Sequence, residues 1–204
     1  MKTCYDKHPT WKHMVWTEEN MPSPFYFGDV WDIDNNYARK SDLIRLQVLF
    51  NYGGVYLDTD MECIKPIDDL LLGYNFVVGT EGNEWINNAF IASTRENIII
   101  RNIILEVKKR YKNKDNDNWI RGGIRYDDPL NYVAQVGGPH VFNSMRKKIK
   151  GKLGTKMYPK EYFYPIKYNH RKPMKQWNIP TNPLLLQEET HMIHHFASSW
   201  YRQK

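Results

Sequence analysis

The stretch Gly53-Gly54-Val55-Tyr56-Leu57-Asp58-Thr59-Asp60 decides the fold. Paired glycines stop a helix, three apolar residues read as a strand over Val55–Leu57, and two carboxylates follow at its carboxyl end. Ligands of open α/β sheets bind at that end of the strands. Two acidic groups delivered there repel each other unless a cation neutralises them. Oxygen donors suit Mg2+ or Mn2+, ions that commonly bridge to substrate phosphates.

Upstream, Asn35 or Asn36 can cap a helix running from Tyr37 to Asn51, with Leu43, Leu46 and Phe50 on one stripe and Ile44 and Val48 widening it. Asp42 and Arg45 share a face of this helix, which leads straight into the acidic strand. A surface ion pair is the bland reading of these two; a border of the same cleft is the functional one. Further strands are expected at Met14–Trp16, Asn75–Gly79 and Ala89–Ser93, and helices at Ile67–Leu72 and Glu96–Tyr111. Residues 112–123 read as a polar loop, Pro129 opens a helix that ends at Gly137-Gly138-Pro139, and the charge run Arg146–Lys152 reads as exposed. The Tyr-rich stretch Met157–Ile166 has period-two character and reads as β. Strands alternating with helices argue an α/β fold with a partly parallel sheet, in one domain over residues 1–204.

Lys and Arg number 29 against 23 Asp and Glu, so the chain carries +6 and favours anionic partners: nucleic acid, a membrane surface or phosphorylated small molecules. Hydrophobic residues at 41% exclude wholesale disorder. Cys4 and Cys63 are too few for a disulfide framework or a four-cysteine zinc site, and they fit a reducing compartment. Residues 1–20 lack the apolar run of a secretory signal, and the greasiest stretch, Ile98–Val107, is interrupted by Arg101, Asn102 and Glu106. A cytoplasmic protein or one in peripheral contact with a membrane is expected.

Asp-x-Asp triplets also occur at Asp32/Asp34 and Asp115/Asp117, in polar surroundings where exposed carboxylates are the default. Only Asp58/Asp60 follows an apolar strand. Near the carboxyl end, His194-His195-Phe196-Ala197-Ser198-Ser199-Trp200 gathers imidazoles, hydroxyls and an indole within seven residues. A neutral imidazole can complete a mixed oxygen–nitrogen Mn2+ site.

The combination of Ala38-Arg39-Lys40-Ser41-Asp42-Leu43-Ile44-Arg45, the Gly53–Asp60 stretch and His195-x-x-Ser198-x-Trp200 resembles the sugar-binding-region glycosyltransferases of family 32. That family includes yeast mannosyltransferases and bacterial capsular polysaccharide transferases, and it shares core motifs with the clostridial glucosylating toxins. The resemblance runs from about Thr10 to Trp200. It implies a GT-A fold with a mixed, mostly parallel sheet. It also implies a divalent cation, Mn2+ or Mg2+, and transfer of a hexose from a UDP- or GDP-linked donor with retention at the anomeric carbon. The acceptor is a glycan, a lipid-linked sugar or a protein; nucleic acid is not an expected partner.

Carried onto this chain, the resemblance makes Asp58, Asp60 and His195 metal ligands and gives Asp42, Arg45 and Asp58 to catalysis. Tyr56, Asn88, Ser198 and Trp200 fall to donor binding, with Gly138-Pro139 near donor and acceptor. Members usually open with a strand of the form Ile-Pro-Lys-Ile-Ile-His-x-Ile-Trp, which lies against the nucleotide base. This chain starts at Met1 beyond that strand, so the base contact is expected to be absent or supplied differently.

Two other readings compete. A phosphatase using Asp-x-Asp wants Thr or Val two residues past the second Asp, where Glu62 stands. A non-catalytic sugar- or nucleotide-binding module would keep the motifs without turnover.

Overall fold

A computed structural model of the chain describes residues 1–31, 36–112, 134–166 and 186–197. The predicted loop beyond Lys112, the Pro129 helix start, Asp32/Asp34, Asp115/Asp117, Ser198 and Trp200 lie outside the described residues.

Helix α3 (Tyr37–Tyr52) begins where the side chain of Asn36 accepts the Arg39 N–H, satisfying one of the free donors of a helix start. Short helices α1 (Lys2–Lys7) and α2 (Gly28–Trp31) precede it. It ends at Gly53, φ +70°, where a Cβ would stand 2.6 Å from the Arg95 nitrogen. Strand β1 (Gly54–Leu57) follows at once, then β2 (Met61–Cys63), α4 (Asp68–Leu71), β3 (Phe76–Thr80) and β4 (Ile86–Ser93). Helix α5 (Ile98–Lys112) starts on Asn97, whose side chain accepts the Ile99 N–H. Helices α6 (Pro139–Ser144) and α7 (Arg146–Lys150), strand β5 (Thr155–Tyr158), helix α8 (Lys160–Phe163) and strand β6 (Met192–His194) complete the order.

Four strands form one sheet in the order β1-β4-β3-β5. The α/β expectation holds and the sheet is mixed, but the balance differs from a mostly parallel one. Among the described residues β1–β4 and β4–β3 are antiparallel and β3–β5 is parallel. Alternate residues feed two cores. Phe76, Val78 and Ile91 point to a cluster shared with Leu43, Leu46 and Leu49 of α3 and Ile100 and Ile103 of α5. Val77, Phe90 and Ala92 point to a second cluster with Ile67, Phe163, Tyr164 and Met192. Burial of both faces explains why β3 and β4 read as nearly continuous apolar runs. A register shift between Val78 and Gly79 lets Gly79 pass beneath Phe163 and Tyr164; a Cβ there would meet both rings within 2.7 Å.

A separate two-stranded ladder pairs β2 with β6, placing Met61 opposite His194. This pairing brings residues near the carboxyl end beside Asp60.

Three expectations change. Met14–Trp16 joins no ladder. The period-two stretch at Met157–Ile166 is a strand only to Tyr158, after which Pro159 caps helix α8. Its aromatic residues serve packing rather than pairing, as in the stacked Phe90–Phe163 rings. Finally, Cys4 and Cys63 are joined in a disulfide that ties α1 to β2. The reading of two thiols in a reducing compartment is therefore corrected, since such bonds persist in oxidising surroundings.

Candidate active site

The site is built at the carboxyl end of β1. The Asp58 N–H donates to the Ala89 carbonyl at 2.9 Å, carrying the ladder one residue past the strand and fixing where its side chain emerges. One oxygen of Asp58 accepts the Tyr56 hydroxyl at 2.9 Å and lies 3.2 Å from an Arg45 nitrogen. The Tyr56 hydroxyl is also 3.2 Å from Ser41 Oγ. Burial raises the Tyr56 hydroxyl above its ordinary range, with Arg45 opposing, so it stays a proton donor.

Arg45 is 4% exposed and is used on every side. It donates to the Ser41 carbonyl and Oγ, to the Asn88 carbonyl at 2.6 Å, and pairs with Asp42 at 3.0 Å. Its guanidinium also lies over the Tyr56 ring. Burial opposes its charge, yet Asp58, Tyr56 and Asp42 together hold it above its ordinary value. Arg45 is a buried tie between two carboxylates.

Asp42 is 5% exposed and accepts a 2.9 Å hydrogen bond from the Asn88 amide. Burial pushes its carboxyl up to about 6, with Arg45 opposing and Asp58 adding to the rise. Asn88, expected at the donor, thus holds Asp42 in its orientation.

Asp60 is clasped by the carboxyl-terminal segment. Its backbone carbonyl accepts the His195 N–H at 3.1 Å, and its carboxylate accepts the Ala197 N–H at 2.8 Å. His194 Nε2 lies 3.3 Å from the same carboxylate. Burial works to raise Asp60, but the His194 hydrogen bond and charge and the Ala197 amide outweigh it and hold the carboxyl below the ordinary range. Asp58, Asp60 and His194 each present a ligand atom, all within 4.8 Å of one another.

The histidine beside the carboxylates is therefore His194. His195, expected as the ligand, directs Nε2 to Glu62 at 2.8 Å. The reason is strand alternation: consecutive residues face opposite ways, so only one of the pair can look toward Asp60. Alternation says that only one of the two can face Asp60; the β2–β6 register decides which. The roles of Ser41 and Glu62 were missed as well. Ser41 was legible as the residue one helical turn before Arg45; the Glu62–His195 pairing arises only from the β2–β6 ladder.

The fold and this acidic cluster at a strand end define a protein of the α/β class whose Asp58, Asp60 and His194 could hold a cation. Residues 1–77 match the family described as the glycosyltransferase sugar-binding region containing a DXD motif. The resemblance read from the sequence stands over these residues. Inositol phosphoceramide mannosyltransferase 3 of Schizosaccharomyces pombe is 34% identical over 76 residues, 34% of this chain and 21% of that protein. Lactosylceramide 4-alpha-galactosyltransferase of Rattus norvegicus is 25% identical over 154 residues, 76% of this chain and 39% of its own length. A solved structure, the PaToxG glycosyltransferase, is 26% identical over 65% of this chain and 42% of that one, with a TM-score of 0.44. The chain thus spans well under half of each of these relatives.

Proposed function

We propose that this chain is a divalent-metal-dependent glycosyltransferase that moves a hexose from a UDP- or GDP-linked donor, with retention, to a glycan, lipid-linked or protein acceptor. The observation that carries this reading is the convergence of Asp58, Asp60 and His194 within 4.8 Å, next to the Arg45-tied Asp42. Two carboxylates and an imidazole fit Mn2+ or Mg2+, and Nδ1 of His194 is buried without a partner among the described residues, free to take a proton while Nε2 serves a metal. When bound, the ion neutralises charge developing on the departing diphosphate.

The remaining work falls to the chain itself. Arg45 and Tyr56 fix one oxygen of Asp58 and leave the other for a ligand. Asn88 and Arg45 orient Asp42 for a donor hydroxyl. With Asp42 and Asp58 both engaged, attack from the face the leaving group vacates suits retention better than a carboxylate nucleophile. Ser198 and Trp200 remain proposed diphosphate contacts, following directly on the clasped Ala197. The phosphatase reading loses ground, because Glu62 is both the wrong residue type and engaged by His195. Among the described residues no helix is long and apolar enough to cross a membrane. A lipid-linked acceptor would bring the chain into contact with a membrane surface, which its charge of +6 favours.

The test is a panel of UDP- and GDP-sugars scored for turnover with Mn2+, with Mg2+ and with chelator. Metal-dependent hydrolysis or transfer from one donor supports the reading. Binding without turnover would favour the non-catalytic module, and metal-dependent cleavage of generic phosphomonoesters would favour the phosphatase.

A further inference from the structure

The charge run Arg146–Lys152 takes no part in the candidate site. No acidic residue occurs from Pro139 to Lys160, and the seven Lys and Arg of that stretch exceed the +6 of the whole chain. Helix α7 buries only Ile149; Lys147, Lys148 and, beyond the helix, Lys152 are exposed. Glu84 holds Lys150, but among the described residues no carboxylate pairs with the other three lysines. The chain then turns through Lys152-Leu153-Gly154-Thr155, closed by the Thr155 N–H on the Lys152 carbonyl at 3.2 Å. Gly154 takes the third position at φ +76°, a place such turns give to glycine. Leu153 is left at the tip, 95% exposed. The turn is pinned, because the Gly154 carbonyl accepts the Asn75 and Phe76 N–H groups at 2.7 and 3.2 Å. Those bonds set it beside the segment entering β3, where Leu72 is 71% exposed.

Both leucines stand at the end of the sheet where Gly54, Ser93, Phe76 and Thr155 lie in register, and Asp58 emerges at the other end. A single exposed leucine is ordinary. Two on adjoining turns, bordered by lysines without carboxylate partners, make a surface of mixed chemistry. A nucleic acid would engage the lysines and leave the leucines in water, since its bases stack on aromatic faces. An anionic bilayer engages both, because its headgroups neutralise the ammonium groups while apolar side chains enter the acyl boundary. We infer that this end of the sheet docks on an anionic membrane, with Leu153 and Leu72 entering the boundary and Lys147, Lys148 and Lys152 on the headgroups. Docking is tested without donor or metal, so its failure leaves the transferase reading untouched.

The probe is a vesicle of phosphatidylcholine with phosphatidylserine, against one of phosphatidylcholine alone, sedimented with the full chain. The anionic vesicles should retain the chain and the neutral ones should not. Replacing all three lysines, Lys147→Gln, Lys148→Gln and Lys152→Gln, should weaken retention at least about tenfold. Leu72→Ser with Leu153→Ser keeps the net charge and should also weaken it at least about tenfold, which separates insertion from plain attraction of charge. All five side chains are exposed, so unchanged melting temperatures serve as the control of folding. Three results overturn the docking surface: no retention by anionic vesicles, retention of either variant equal to that of the wild type, or an RNA homopolymer that binds more tightly than the vesicles and displaces them.

Discussion

Arg45→Met tests the electrostatic logic of the site most directly. The side chain it replaces is buried and ties Asp42 at 3.0 Å and Asp58 at 3.2 Å. Methionine keeps much of the volume and packing but leaves two acidic groups without their cation. Breaking a buried pair by removing one partner costs about 3–5 kcal/mol, and that is the loss expected at pH 8. Asp42 makes the loss depend on pH. Its carboxyl titrates at about 6 in the folded protein against an ordinary 3.8. The native state therefore keeps a proton that the unfolded chain has released, and the stability this group contributes is complete below pH 3.8 and is lost as pH rises through about 6. That gap corresponds to about 3 kcal/mol. At pH 5 Asp42 is largely protonated in the native state, so removing Arg45 should cost no more than about half of its pH 8 value. Urea unfolding of wild type and variant at the two pH values measures this. A loss below about 1 kcal/mol at pH 8 would place Arg45 with ordinary surface pairs. A larger loss at pH 5 than at pH 8 would refute the assignment of the buried proton. Adding Asp42→Asn to Arg45→Met should recover part of the loss, since the uncompensated charge goes with it.

Other expectations follow from the same geometry. His194→Ala should weaken Mn2+ binding at least about tenfold in calorimetry, while His195→Ala weakens it less; equal losses would show that the ladder does not hold His194 at the carboxylates. Asp60→Asn should speed amide exchange at Ala197 and flatten the acid limb of stability, because the depressed carboxyl contributes stability that is present above its ordinary pKa and lost as pH falls through its folded value; unchanged exchange at Ala197 would remove the clasp. Cys4→Ser opens a bridge spanning 59 residues and should cost about 4 kcal/mol. Equal melting temperatures for variant and oxidised wild type would contradict the bond.

By itself the sequence determined the parts whose signals are local. Helix α3, its cap at Asn35 or Asn36 and the Gly53 stop were legible because caps, apolar stripes and glycine conformations act within a few residues, and Asn36 is the cap used. The strand leading into Asp58/Asp60 was legible for the same reason, since an apolar run directly precedes the pair, and it forms over Gly54–Leu57. Tertiary structure alone decided what depends on pairing between distant segments. The β2–β6 ladder selects His194 over its neighbour, because side-chain direction on a strand follows from register, and register joins residues 61 and 194. The same ladder sends Glu62 to His195. Arg45 could be placed near a cleft from helix spacing, but its burial between two carboxylates required β1 and β4 to pack against α3. Met14–Trp16 has the composition of a strand and stays outside the sheet, because a strand forms only where a partner offers its backbone, and partners are set by the fold rather than by local composition.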